Sequence, residues 1–166
     1  MAALLTAQFF SPARIIMIDI DENRLELAKK FGATDTINSG KLNAPKEIKG
    51  KMTEDGVDVA IEAVGMPATF DICQRIVRPG GHIANIGVHG KPVNFEIDRL
   101  WADNITLTAG IVNMVSVPML SSCCQSKKLD PSQLITHHFS LDEGVKAYEV
   151  FRNAAKENAM KIIISV

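Results

Sequence analysis

Ile15, Ile16, Met17 and Ile18 run unbroken between Arg14 and Asp19, with no polar position among them. A strand with one wet face alternates, whereas a continuous apolar run fits a strand covered on both faces, as in a parallel sheet. The run stops at Asp19, and the period changes after Asp21. Leu25, Leu27, Ala28 and Phe31 then supply one helix face. Asp21 can cap that helix, Glu22 suits its positive end, Lys29 and Lys30 suit its negative end, and Gly32 can close it.

The alternation repeats downstream. Thr34 to Asn38 reads as a short strand, Ala44 to Thr53 as a polar amphipathic helix, and Asp58 to Glu62 as a second buried strand. Gly65 and Met66-Pro67 open a helix through Arg75, Arg78-Pro79-Gly80-Gly81 reads as a turn, and His82 to Ile86 as a strand. Strands separated by helices predict right-handed βαβ units, hence an α/β fold on an open, doubly wound parallel sheet. After Gly87 the pattern loosens into a strand at Asn104 to Gly110, helices at Val117 to Lys127 and Leu141 to Arg152, and a last strand at Lys161 to Val166. Pro118, Pro131 and Gly144 keep this stretch from forming one long element. Met1 to Phe10 reads as a buried helix through Leu4, Leu5 and Phe9, with no capping residue and no strand before it.

Composition narrows the function. At 166 residues there is room for one domain of the usual ~150 residues. Eighteen Lys and Arg against 19 Asp and Glu give a net charge of -1, which supplies no basic stripe for a phosphate backbone and argues against nucleic acid. No apolar run is long enough for a membrane span. No basic residue precedes Arg14 and no cleavage site follows, so a secretory leader is not expected. Three cysteines, Cys73, Cys123 and Cys124, show no C-x-x-C spacing, which suggests a reducing, cytoplasmic setting.

Open parallel sheets bind ligands at the carboxyl ends of their strands, which makes Asp19 the first candidate. An acid there can accept from the ribose hydroxyls of a dinucleotide, about 20 residues after a glycine-rich turn. Counting back from Asp19 reaches the front of the chain, so a first strand and its glycine loop are expected to lie upstream; the competing reading is a natural N-terminal helix. Glu62, at another strand end, divides evenly between touching cofactor-side water and capping the next helix. His137-His138 fall on an extended segment, where neighbours point to opposite sides, so a metal pair is not expected. Cys123-Cys124 reads as buried helix packing rather than redox chemistry.

Five segments resemble the zinc-dependent, medium-chain alcohol dehydrogenase family. They are Ile15 to Asp19, Asn23 to Thr34, Gly56 to Gly65, Val77 to Ile83 and Leu134 to Glu143, in the family's order over nearly the whole chain. The resemblance implies a Rossmann-like sheet, lacking its first strand and Gly-rich loop, that binds NAD and belongs to an oxidoreductase acting on an alcohol, aldehyde or ketone. It gives Asp19 the ribose and Arg24 a flanking position, and places Val64 against the adenine. Ile86, Gly87 and Val88 become the turn under the nicotinamide, Gly110 to Val112 the strand holding its carboxamide, and Lys161 a residue near the pyrophosphate. It implies a homo-oligomer paired through Asn104 to Val115, and makes 134–166 the segment that leads back to a catalytic domain. The family's zinc ligands, a Cys, His and acid set and a cluster of four Cys, have no counterpart here, so no zinc site and no catalytic residue are expected, and the chain alone is expected to be inactive. Two rivals stay open: a methyltransferase using S-adenosylmethionine, whose folds share the strand-end acid and Pro-Gly-Gly turn, and a nucleotide-sensing or assembly module made from a dehydrogenase half.

Overall fold

A computed structural model describes residues 1–111 and 114–166. In chain order the elements are α1 (Ala2–Ala7), β1 (Ile16–Asp19), α2 (Glu22–Lys30), β2 (Asp35–Asn38), α3 (Ala44–Glu47), β3 (Val57–Glu62), α4 (Pro67–Ile76) and β4 (Val77–Asn85). They continue with α5 (Ile97–Leu100), β5 (Thr106–Ala109), α6 (Val117–Gln125), β6 (Ile135–Ser140), α7 (Gly144–Arg152), α8 (Ala154–Glu157) and β7 (Lys161–Ser165). The chain divides into two compact units, Met1–Asn38 with Val115–Val166, and Ser39–Met114.

In the first unit β1 pairs with β2 and β6 with β7, both in parallel. Parallel neighbours need a crossover, and α2 and α7 supply it. Asp21 starts α2 by accepting from the backbone N–H groups of Asn23 and Arg24 at 2.8 and 3.1 Å. Leu25 and Ala28 bury its inner face, and the chain leaves through Gly32 at φ +100°, which favours glycine. A two-point Arg14–Asp35 pair, at 3.0 and 2.6 Å, ties the approach to β1 to the start of β2. Leu4 and Leu5 are buried as expected of the first helix, but that helix ends at Ala7 and Phe9 is 40% exposed on the following single turn.

In the second unit β3, β4 and β5 form one parallel sheet in that order. Pro67 at the first position of α4 suits a helix start because its missing N–H has no intrahelical partner. Phe70, Cys73, Gln74 and Ile76 are the buried residues of α4. Buried Gln74 is satisfied, donating to Asn94 O at 3.0 Å and accepting from Glu96 N at 2.9 Å.

The structure corrects several sequence expectations. β3 is not buried on both faces: Ala60 and Glu62 are buried, while Val59 and Ile61 stay 53% and 43% exposed on the opposite face. Arg78 to Gly81 is not a turn before a strand. It lies within β4, where the register to β3 slips between Val57 and Val59 and Gly80 N–H bonds to Asp103 O at 2.7 Å. The segment from Ala44 is four residues of α-helix followed by a wider π turn, Ile48–Met52. α5 and α8 have no counterpart in the sequence reading, and β6 appears in it only as the extended segment at His137-His138.

Candidate functional site

The first unit gathers Asp19, Arg24 and Lys161 around the amino group of Met1. Burial lowers the pKa of that amine, the Asp19 charge raises it, and the Arg24 and Lys161 charges lower it again. Asp19 ends β1, where its Oδ1 accepts from the N–H groups of Ile20 and Asp21 at 2.7 and 3.0 Å. Its Oδ2 has a looser neighbour, Arg24 at 3.9 Å, and the side chain keeps 24% of its exposure. One oxygen therefore fixes the carboxylate while the other is available to a donor from outside. Arg24 stands on the first turn of α2, and Asn23, Arg24 and Leu27 share a narrow cleft with Asn158 and Met160, just before Lys161 opens β7.

The second unit presents Val64, the turn Ile86–Gly87–Val88 and Gly110 at the carboxyl ends of its three adjacent strands. Val64, Ile86 and Val88 are exposed. Val112 lies outside the described residues.

Beneath this apolar edge lies Glu62, 1% exposed. Its Oε1 accepts from Val64 N at 3.0 Å, Gly65 N at 2.9 Å and Thr69 Oγ1 at 2.5 Å, and its Oε2 accepts from Gly65 N at 3.1 Å. Burial pushes the carboxyl up, but the bonds from Thr69, Gly65 and Val64 and the neighbouring His89 outweigh it, so Glu62 stays below the ordinary glutamate value. Its backbone oxygen accepts from Ile86 N and Gly87 N at 2.8 and 3.0 Å. A Cβ on Gly65 would strike the Val88 carbonyl, and one on Gly87 would strike the Glu62 carboxylate and Gly65 N. Burial also pushes the Cys73 thiol, aided by the Glu62 charge, up to about 12.

Sequence reasoning missed Thr69 and His89 as partners of Glu62. Thr69 sits seven residues on, where an ordinary helix start was read, and His89 lies 27 positions away with no pattern to link them. Among the described residues, no three His, Cys, Asp or Glu side chains gather where a metal ion would fit. His137 and His138 fall on alternate sides of β6, and His137 stacks on Phe139. These side chains do not fit the zinc that the resemblance implies.

In each unit, parallel strands joined by helical crossovers define an open-sheet α/β fold. Residues 1–122 match the family model described as zinc-binding dehydrogenase. The chain belongs to that family. It is 53% identical to the zinc-dependent alcohol dehydrogenase 2 from Streptococcus pneumonia, with a TM-score of 0.93 over 99% of this chain and 48% of that one. It is 30% identical over 164 residues to an alcohol dehydrogenase from Cupriavidus necator, covering 95% of this chain and 44% of the relative. An L-threonine 3-dehydrogenase from Vibrio cholerae is 30% identical over 159 residues, 92% of this chain and 45% of its own length. The chain thus spans about half the length of the curated relatives it matches. The Rossmann-like α/β fold expected from the sequence is shared with the Streptococcus pneumonia structure.

Proposed function

We propose that this chain is the NAD-binding half of an alcohol-dehydrogenase-like oxidoreductase acting on an alcohol or its carbonyl product. The observation that carries the reading is the Asp19 carboxylate, which ends a parallel strand with one oxygen spent on its own loop and the other turned outward. That oxygen accepts from the adenosine ribose hydroxyls. Arg24 flanks the same sugar, and Lys161 lends positive charge on the pyrophosphate side. In the second unit Val64 packs on the adenine, Ile86 to Val88 support the nicotinamide, and Gly110 lies at its carboxamide. The cofactor supplies hydride exchange at its nicotinamide ring, and the residues here bind and orient it.

A 2′-phosphate would set a second negative charge against Asp19, so the reading favours NAD over NADP. The exposed apolar side chains Leu107, Ile111, Met114 and Val115 suit pairing of like chains. The three cysteines are free, as a reducing cytoplasm would keep them, and among the described residues no helix is long and apolar enough to cross a membrane.

Titration of the isotope-labelled chain tests the reading. NADH at millimolar concentration should move the amide resonances of residues 18–24 together with those of 64–66 and 86–88, and S-adenosylmethionine should move neither set. Absence of NADH shifts, or larger ones with S-adenosylmethionine, would overturn it. Assayed alone with NAD and short alcohols, the chain should show no turnover and no stoichiometric zinc.

A further inference from the structure

His89 reaches back from the segment after β4 to the end of β3. Its Nε2 lies 2.8 Å from Asn85 Oδ1 and 3.4 Å from Glu62 Oε2. Asn85 turns its amide nitrogen toward Gly87 O at 3.5 Å, so the atom it offers His89 is an acceptor. With two acceptors in front of it, Nε2 carries the hydrogen. The other ring nitrogen, Nδ1, is buried without a partner. Buried polar atoms are seldom left so, which means the ring is held by what Nε2 bonds and by Phe70, which it meets edge-on at 6.0 Å.

The turn 86–88 is thereby pinned at both ends to one residue. Its start hangs from the Glu62 backbone oxygen through Ile86 and Gly87, and its far end comes back to the Glu62 carboxylate through His89, whose Nε2 hydrogen-bonds Asn85 Oδ1 and lies in electrostatic contact with Glu62 Oε2 at 3.4 Å. The same carboxylate holds Val64 and Gly65. Gly65 also lies against the Val88 carbonyl with no room for a Cβ, so neither loop can shift without pushing the other.

We infer that Glu62 and His89 form a clamp that couples the loop displaying Val64 to the turn displaying Ile86 and Val88, with His89 a positioning residue for the cofactor face. The ligand served by the two loops rests on the dinucleotide reading above; the clamp is a property of the free chain. Every bond Glu62 makes here needs an acceptor. A glutamine in its place would turn an amide N–H toward Gly65 N–H or His89 Nε2–H and break the link from the other end.

Amide hydrogen exchange on the ligand-free chain tests the clamp. His89→Leu should speed exchange at Gly65 about threefold, the scale of one weak contact to a carboxylate, although Gly65 does not bond to His89. His89→Gln, whose amide nitrogen can face Glu62, should restore it. A purely local role for His89 would raise exchange at 86–89 alone, and an unchanged Gly65 would overturn the inference. The imidazole nitrogen resonances give a second test that needs no folded His89 variant: they should report the Nε2–H tautomer in the wild-type chain and move in Glu62→Gln. A ring protonated on Nδ1 alone would overturn the clamp. With NADH, the Val64 shift should fall severalfold in His89→Leu. NADH that moves neither loop in the wild type defeats the dinucleotide reading and the positioning role with it, while ligand-free exchange still decides the coupling.

Discussion

Asp19 and Glu62 occupy the same kind of place, each closing a parallel strand at its carboxyl end, yet they are built for opposite purposes. Glu62 is 1% exposed and spends both oxygens on Val64, Gly65 and Thr69. Asp19 keeps 24% of its side-chain exposure, and its Oδ2 has Arg24 as a loose ion-pair neighbour at 3.9 Å. A saturated carboxylate organises the protein around itself, whereas a half-used one keeps an acceptor for the cofactor we propose. Strand-end position alone does not distinguish the two, because the deciding quantity is how many acceptor sites the fold has already filled.

The sharpest way to break this contrast is to remove each side chain. Glu62→Ala strands the backbone donors of Val64 and Gly65, while Thr69 Oγ1 can still donate to Met66 O at 2.8 Å, and should cost about 3 kcal/mol in urea unfolding. Asp19→Asn should cost under about 1 kcal/mol, since the amide oxygen can still accept from Ile20 and Asp21. Equal losses would erase the distinction.

Ligand binding should reverse the ranking. Asp19→Ser should weaken ADP-ribose binding roughly tenfold or more, the scale of hydrogen bonds to a charged group, and should narrow the gap between NADH and NADPH in a resonance titration. An unaltered affinity would place the ribose elsewhere.

Acid sharpens the contrast further. Glu62 is held below its ordinary value of 4.5, so its bonds contribute stability that is complete above that pH and is lost as pH falls through the lower folded value. Asp35, held low by Arg14, works in the same direction from ordinary 3.8. Urea midpoints measured from pH 7 downward should therefore begin to fall near pH 4.5, and Glu62→Gln should flatten part of that fall. A slope that Glu62→Gln leaves intact would assign it to other carboxyls.

The smallest expected effect concerns the open face of β3. Ile61→Lys should reduce association of the chain at tens of micromolar, seen by light scattering, without moving the urea midpoint by more than about 0.5 kcal/mol. A wild-type chain that scatters as a sharp monomer would remove the premise.

Much of this architecture is legible in the sequence because its cause is local. The β1–α2–β2 stretch follows from a continuous apolar run, an Asp cap and a closing glycine, all within 25 residues. β6 is legible only as an extended stretch at His137-His138, because Thr136, His137 and His138 look polar; the alternation of half-buried and exposed positions along Ile135 to Ser140 shows the strand. The exposure of Val59 and Ile61 is invisible to composition, since an apolar run does not say whether both faces will find cover. Asp19 could be singled out from its place in the run. The role of Glu62 could not, because the groups that complete it are Thr69 in the next helix and His89 beyond the next strand.

Cys73, sealed beneath Glu62, gives the chain a natural clock. A thiol pushed up to about 12 is almost wholly protonated at neutral pH, and thiolate is the form that alkylating reagents attack. Cys123 and Cys124, both partly exposed, should be modified first and can be exchanged for serine. The remaining slow reaction at Cys73 would then time how often the interior beneath the two loops opens to solvent.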